Sequence, residues 1–132
     1  MHTDYRRHGP VINLLFAERP AYRAGEPVDL TLLKANLSPF PVYFTYPTSQ
    51  RYDFAVYSNG QEIWRWSFDK VFIQVVETVT LNPAETVTYR ITWPQVNNLG
   101  QQVPPGLYTI RAWNPFIGFE VLPWPEIQIR IL

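Results

Sequence analysis

Asp53 is the carboxylate of this sequence with the most promising neighbours for chemistry. It begins a run of aromatic and β-branched residues that an Asn-Gly pair separates from a second such run. Asn-Gly suits both central positions of a type I′ turn, so the sequence predicts a β-hairpin turning at Asn59 and Gly60. The predicted cross-strand pairs are Ser58 with Gln61, Val56 with Ile63, Ala55 with Trp64, and Asp53 with Trp66.

Two roles are open to Asp53 in such a hairpin. The carboxylate could transfer a proton or contact a ligand beside Trp64 and Trp66. Alternatively it could accept hydrogen bonds from the Trp66 indole, from Arg51 or Arg65, or from backbone amides. We favour the structural role, because an unpaired buried charge costs several kcal/mol and a carboxylate among aromatic residues needs such partners.

Other catalytic groups are scarce in this chain. The two histidines, His2 and His8, belong to an N-terminal stretch that we expect to be mobile, so no general base or metal ligand of this type is expected in the body of the fold. There is no cysteine, no phosphate-binding glycine motif and no nucleophile elbow. The acidic residues are scattered along the chain. These features predict a protein that is not an enzyme and has no metal or cofactor.

Length and charge limit the classes of partner. The 132 residues predict one domain, residues 1–132. Eleven basic residues balance eleven acidic ones, which argues against nucleic acid or an anionic membrane as a partner. No apolar run approaches the ~20 residues of a membrane span, and no apolar signal-peptide core follows the charged N-terminus. We therefore expect a cytoplasmic protein; its oligomeric state stays open.

Alternation of apolar and polar residues predicts strands along the whole chain. No proline lies between Pro47 and Pro83, so we expect the best-paired strands there. Tyr108 follows Pro105 and Gly106 in a pattern typical of a tyrosine corner, whose hydroxyl would bond to Val103 or Pro104. The predicted fold is an all-β, antiparallel, two-sheet sandwich, immunoglobulin-like, with seven to nine strands. Besides the hairpin, the predicted strand segments are a first one formed by residues 11–16 and 21–23 and broken at Pro20, followed by 28–36, 42–46, 71–79, 86–93, 107–113 and 127–131.

The aromatic content of 16% suggests a second function. Exposed Trp and Tyr on a sandwich face can hold sugar rings, whereas buried ones are ordinary core. Tyr89 and Trp93 share an apolar strand face and are expected in the core, and Trp66 is expected to be mostly buried. A non-catalytic binding module for carbohydrate or protein is therefore the alternative to the function below.

Several of these residues together resemble the BsuPI-type intracellular proteinase inhibitors over about residues 28–113. The resemblance rests on Tyr52-Asp53-Phe54, the Gly60 turn, Trp64-Arg65-Trp66-Ser67, and Gly106 with Tyr108. We expect these signature residues to be structural. Two turn positions depart from the family pattern: Ser49 and Ala84 stand where glycine is usual. The resemblance implies an immunoglobulin-like domain that inhibits a serine protease, of the subtilisin class, by protein–protein binding.

Inhibition requires a loop held in extended form; two loops are the main candidates, and the short link Tyr46 to Gln50 is a third. Residues 94–105 form a polar loop bounded by prolines. The segment Asn114 to Pro125 is unusually apolar and is stiffened by three prolines, so we predict that it is the protease-binding loop, with Phe119 entering the protease cleft. The alternative is that it folds inward and closes the core. Its candidate anchors are Phe116, Phe119, Leu122 and Trp124.

Overall fold

The computed structural model describes residues 2–132, which form eleven β-strands. The 3₁₀ turns are Trp66–Asp69 and Phe119–Val121, and no helix within residues 2–132 is long and apolar enough to cross a membrane. The strands are β1 (Thr3–His8), β2 (Val11–Ala17), β3 (Ala21–Tyr22), β4 (Val28–Asn36), β5 (Val42–Tyr46), β6 (Asp53–Ser58), β7 (Gln61–Arg65), β8 (Glu77–Leu81), β9 (Thr86–Trp93), β10 (Gly106–Trp113) and β11 (Glu126–Ile131).

The strands form two large sheets and one small one. The first has the order β1-β2-β4-β9, the second β3-β11-β10-β6-β7, and the small sheet pairs β5 with β8. All pairs are antiparallel except the short β3–β11 pair. The predicted all-β, immunoglobulin-like sandwich is confirmed. The strand number exceeds the predicted seven to nine, chiefly because β1 and the two-residue β3 also pair.

The core lies between the two large sheets, where alternate residues of each strand point inward. On β9 the buried or partly buried side chains are the predicted ones, from Val87 to Trp93, while the intervening threonines and Arg90 are exposed. Trp93 is fully buried and Tyr89 is partly buried. Tyr108 donates a hydrogen bond of 2.5 Å to the Pro104 carbonyl, which confirms the predicted tyrosine corner.

The N-terminal stretch is ordered, contrary to our expectation. Strand β1 pairs with β2 over its whole length, from Thr3 opposite Phe16 to His8 opposite Val11. Its alternation of partly buried and exposed side chains was hidden by its charged composition. His8 therefore lies in the body of the fold, where its ring meets Trp124 edge to face at 4.7 Å.

The strand predicted over residues 71–79 is only partly formed. Strand β8 begins at Glu77, and Lys70 to Val76 belong to no strand or helix. The partner strand β5 has only five residues, Val42–Tyr46, and Pro41 and Pro47 flank it. Residues 71–76 consequently have no strand to pair with. The expectation that the proline-free window holds the best-paired strands was wrong for this part of the chain.

Candidate functional site

The hairpin turns at Asn59 and Gly60, as predicted, but its register changes within the strands. Both turn residues have positive φ, 51° and 78°, as a type I′ turn requires. Ser58 faces Gln61 as expected, whereas Val56 faces Trp64 and Ala55 faces Arg65 because of a bulge between Val56 and Tyr57. The predicted pairs of Val56 with Ile63, of Ala55 with Trp64 and of Asp53 with Trp66 were therefore wrong, since a bulge adds one residue to one strand.

The shifted register brings Asp53 to Ser67 instead of Trp66. Asp53 is 3% exposed, and its Oδ2 accepts a 2.6 Å hydrogen bond from the Ser67 hydroxyl. Its Oδ1 accepts backbone hydrogen bonds from Phe54 at 2.9 Å and from Ser67 at 3.2 Å. Arg65 lies 3.6 Å from Oδ2. The carboxylate is fully occupied in fixing the start of the turn Trp66–Asp69, which fits the structural role that we favoured.

The aromatic signature residues support the same turn. Trp66 is partly buried, and its ring lies 4.6 Å from that of Tyr52, which in turn stacks on Tyr89 at 4.8 Å. The Trp66 ring also contacts the Phe72 ring, with 6.1 Å between their centres, and the Lys70 Nζ lies over the Trp66 ring at 4.8 Å from its centre. Trp66 therefore packs against the residues that follow the turn, Lys70 and Phe72.

Trp64, Phe54, Gly106 and Tyr108 have structural positions. Phe54 and Tyr108 are buried in the core, and Trp64 packs against that core beside Trp93 at 6.4 Å. Gly106 begins β10 at the tyrosine corner. Trp64 also lines a cleft with Trp66, Phe68 and Lys70.

Residues Lys70 to Val76, which we name the exposed segment, present several large apolar side chains to solvent within a few residues of each other. Val71 is 98% exposed and Ile73 is 71% exposed, while Phe72 between them points partly inward against Trp66. Val75, Val76 and the preceding Phe68 are exposed as well. Sequence reasoning missed this surface because alternating β-branched residues were interpreted as a strand. The short length of β5 between two prolines was the available signal.

Ser49 forms hydrogen bonds with both the backbone amide and the backbone carbonyl of Ile73, in the middle of the exposed segment. The Ser49 amide donates to the Ile73 carbonyl at 2.9 Å, and the Ile73 amide donates to the Ser49 hydroxyl at 2.9 Å. Val75 donates to the same Ile73 carbonyl at 3.0 Å. The serine at this departure from the family pattern thus adds a hydrogen bond that glycine could not make.

The four predicted anchors of the loop Asn114 to Pro125 pack inward. Trp124 and Trp113 are buried with Ala55 in a second small core, and Phe116, Phe119 and Leu122 pack against it. Phe119 stacks parallel to Trp113 at 6.4 Å. The exposed apolar side chains of this loop are Ile117 and Val121. This placement matches the alternative in which the loop covers the end of the sandwich.

His8 and Trp124 hold this loop in place. His8 Nε2 donates to the Pro123 carbonyl, and its Nδ1 accepts a 3.3 Å hydrogen bond from the Asn13 amide. The Trp124 indole donates to the Phe119 carbonyl at 2.9 Å. Both ring nitrogens of His8 are therefore hydrogen-bonded within the fold, and one of these bonds holds the loop at Pro123.

The polar loop of residues 94–105 is a tight turn and not an extended segment. Asn97 donates its amide to the Gln101 carbonyl at 3.0 Å, and its side-chain oxygen accepts from Leu99 at 2.9 Å and from Gln101 at 3.0 Å. Asn98 ties the turn to β7, because its side chain accepts from the Arg65 amide at 2.9 Å. Leu99 is exposed at the tip.

A cleft of about 520 Å³ on the outer face of the second large sheet combines aromatic and arginine side chains. It bears on the carbohydrate alternative, since sugar rings stack on open aromatic faces. Trp113 in this cleft is only 5% exposed, and the Arg65 guanidinium lies 4.8 Å from its ring. Arg65 and Arg111 are each paired with a glutamate. The largest aromatic faces here are therefore covered.

Lys34 is a charged group buried beneath β5. Its Nζ donates to the Tyr46 hydroxyl at 3.0 Å and lies 4.1 Å from the centre of the Phe44 ring. Burial, with a smaller contribution from Arg51, lowers the pKa of Lys34 to about 8, and burial raises the pKa of Tyr46. Lys34 is 3% exposed, so a substrate has no route to the amine.

Comparison with solved structures shows similarity at low sequence identity. A β-glucosidase, EmGH1 from Erythrobacter marinus, matches 89% of this chain with 13% identity and a TM-score of 0.53, over 15% of its own length. The alkylpurine DNA glycosylase AlkC of Pseudomonas fluorescens matches 89% with 13% identity and a TM-score of 0.49, over 29% of its length. The CARDB domain of PF1109 from Pyrococcus furiosus matches 89% with 15% identity and a TM-score of 0.47, over 84% of its length. The glucosidase match indicates a shared fold alone.

Comparison with protein families gives a more specific result. No curated protein matches the chain. The family model described as BsuPI, intracellular proteinase inhibitor, matches residues 15–117, which include the hairpin, the exposed segment and the tyrosine corner. The match also extends beyond the region, about residues 28–113, in which the sequence resemblance was noted. This chain belongs to the BsuPI family of intracellular proteinase inhibitors.

Proposed function

We propose that this chain inhibits an intracellular serine protease of the subtilisin class by binding it, without catalytic chemistry of its own. The family description supports an inhibitory role. The observation that carries the proposal is the exposed segment, where Val71, Ile73 and Val76 present apolar side chains to solvent. Contiguous exposed apolar surface of this kind marks interaction sites in folded domains.

The surroundings of the exposed segment extend the surface toward the size that a protease complex needs. Inhibitors typically bury about 800 Å² of their own surface, contributed by 20–30 residues. Phe68 lies beside the segment and lines a cleft with the turn that carries Leu99 at its tip. These elements provide an apolar centre with a polar rim, the usual arrangement of such interfaces.

The state of the reactive groups supports binding over catalysis. Asp53 is occupied by Ser67, Phe54 and Arg65, and His8 uses both ring nitrogens within the fold. Lys34 is buried beneath β5. None of these groups is free and open to a substrate, and a general acid or base must reach the proton that it transfers.

The loop Asn114 to Pro125 stays the competing protease-binding surface. Its predicted anchors Phe116, Phe119, Leu122 and Trp124 would have to leave the second core to enter a protease, and that would expose Trp113. The exposed segment needs no such rearrangement. We therefore place the proposed contact there.

Co-purification tests this function against the carbohydrate alternative. Tagged protein is incubated with lysate of its source cell, and the eluate is analysed for proteases and for their activity. A complex of fixed stoichiometry with an inactive subtilisin-class protease is expected. Retention of the chain on insoluble glycan, with no protease in the eluate, would instead support a carbohydrate-binding module.

A further inference from the structure

We propose that the exposed segment enters the substrate cleft of the protease as an added strand, with Val71 and Ile73 in apolar subsites and Ser49 as the positioning residue. This inference rests on the proposed function, and it names the contact surface and binding mode. Extended peptides commonly bind by such strand addition, in which the backbone contributes affinity and alternate side chains contribute specificity.

The backbone of the exposed segment is free to pair. Lys70 is extended, with φ −104° and ψ 153°. Within residues 2–132, the amides of Val71, Phe72 and Gln74 donate no hydrogen bond. The Lys70 amide donates to the Ser67 carbonyl of the preceding turn at 3.1 Å, and from Val71 to Val76 the backbone groups bonded to another part of the domain are the amide and carbonyl of Ile73, which both meet Ser49. The Val75 amide turns back to the Ile73 carbonyl at 3.0 Å, so the stretch offered for pairing runs from Lys70 to Ile73. Free donors at Val71 and Phe72 beside the fixed Ile73 are suited to main-chain pairing with a cleft.

Side chains of the exposed segment divide between a binding face and an anchoring face. Val71 and Ile73 point to solvent, and Phe72 between them contacts Trp66 at 6.1 Å. This alternation is that of a strand with one face docked on its own domain. Phe72 and Ser49 together hold the segment before any partner arrives, which reduces the conformational entropy lost on binding.

The charges beside the exposed segment cancel in pairs. Lys70 lies 3.1 Å from Asp69 at one end, and Glu77 lies 3.0 Å from Arg51 at the other. The surface thus offers apolar side chains and backbone groups without net charge. This matches an apolar, strand-binding cleft such as that of a subtilisin-class protease, and gives no attraction to a highly charged partner.

Paired substitutions test the inference with purified subtilisin as the probe. Val71→Asp places a charge in the proposed apolar subsite, and we expect the inhibition constant to rise by about 100-fold or more because an isolated carboxylate is costly to desolvate. Val121→Asp is the matched control, since Val121 is also a valine, is 87% exposed and lies on the competing loop. It should change the inhibition constant less than about threefold. Both variants should keep the wild-type melting temperature, because Val71 and Val121 are exposed.

Ser49→Gly separates positioning from folding. The Ser49 amide still donates to the Ile73 carbonyl, but the Ile73 amide loses the hydroxyl acceptor. Inhibition should weaken by several-fold while the melting temperature changes little. When the wild-type chain binds subtilisin, the amide hydrogen exchange of Val71, Phe72 and Gln74 should slow at least about tenfold relative to the free chain. A merely structural role of Ser49 would not produce this change.

Each other outcome overturns a defined part of the account. Unchanged inhibition by Val71→Asp would show that the proposed surface is wrong while inhibition itself stands. Loss of inhibition by Val121→Asp alone would move the contact to the loop Asn114 to Pro125. A wild-type chain that inhibits subtilisin at no concentration would refute the proposed function. A concentration-dependent dimer that Val71→Asp converts to monomer would make a second copy of this chain the occupant, contrary to the inference.

Discussion

Replacing Asp53 by alanine is the change that most directly probes how the signature residues support the exposed segment. The substitution removes the acceptor of hydrogen bonds from the Phe54 amide, the Ser67 amide and the Ser67 hydroxyl, at 2.9, 3.2 and 2.6 Å. A hydrogen bond to a charged group contributes ~1.5–3 kcal/mol, and such values do not simply add. Arg65 adds little to this loss, because it is partly exposed and keeps its ion pair with Glu62.

We therefore expect Asp53→Ala to lower the free energy of unfolding by about 3–5 kcal/mol, through the loss of these three hydrogen bonds. With a urea m-value of roughly 2 kcal/mol/M, the midpoint of urea unfolding should fall by about 2 M. Asp53→Asn should lose less, because its oxygen can still accept from the Phe54 and Ser67 amides. Asp69→Ala is the control, since Asp69 is an exposed acid of the same turn.

Urea unfolding followed by tryptophan fluorescence gives the comparison. A midpoint for Asp53→Ala within 0.3 M of wild type, as a rough threshold for a loss under 1 kcal/mol, would refute the assigned role of the carboxylate. It would mean that water replaces its partners at no cost. A clear loss for Asp69→Ala would equally contradict the reasoning, since it would attribute the stability of the turn to its exposed charges.

Three further predictions concern the pH dependence of stability and two substitutions. The pKa of Lys34, lowered by burial to about 8, lies below that of the unfolded chain, so from about pH 8 to pH 10 the unfolded state holds a proton that the folded state has released. Stability should therefore rise by ~1–2 kcal/mol between pH 7.5 and 9.5, and urea unfolding should show this rise in wild type and not in Lys34→Met. Ala84 has a φ of 61°, so Ala84→Gly should raise the free energy of unfolding by ~0.5–1 kcal/mol; a lower melting temperature would contradict this. Phe119→Asp should lower the melting temperature by many degrees, because Phe119 stacks on Trp113 in the second core, and a wild-type melting temperature with lost inhibition would favour the competing loop.

The sequence predicted strands well where alternation and prolines agree. Val42–Tyr46 between two prolines and Thr86–Trp93 occur with the predicted bounds, and the Tyr108 hydroxyl bonds where the corner motif predicts. In these places local pattern and tertiary packing demand the same structure. Ala84 stands at a turn position where the family usually has glycine, and its φ is positive.

The sequence-based predictions fail where a strand or its register depends on pairing partners that are distant in sequence. The bulge between Val56 and Tyr57 changes the register, so that Ser67 and not Trp66 is the neighbour of Asp53, and no turn residue in the sequence indicates it. Strand β1 is polar, yet it forms because β2 offers it an edge. Residues 71–76 alternate like a strand, yet β5 is too short to pair with them. Strand propensity describes a suitable surface, and pairing decides whether the strand exists.

Titration of subtilisin with the purified chain is the measurement that tests the central claim most directly. Protease at fixed, active-site-counted concentration is mixed with increasing amounts of the chain, and residual cleavage of a chromogenic peptide is recorded. The account predicts a linear fall of activity that reaches zero near one chain per active site, with the chain recovered intact. Full activity at a tenfold molar excess of the chain, or steady cleavage of the chain as an ordinary substrate, would contradict it.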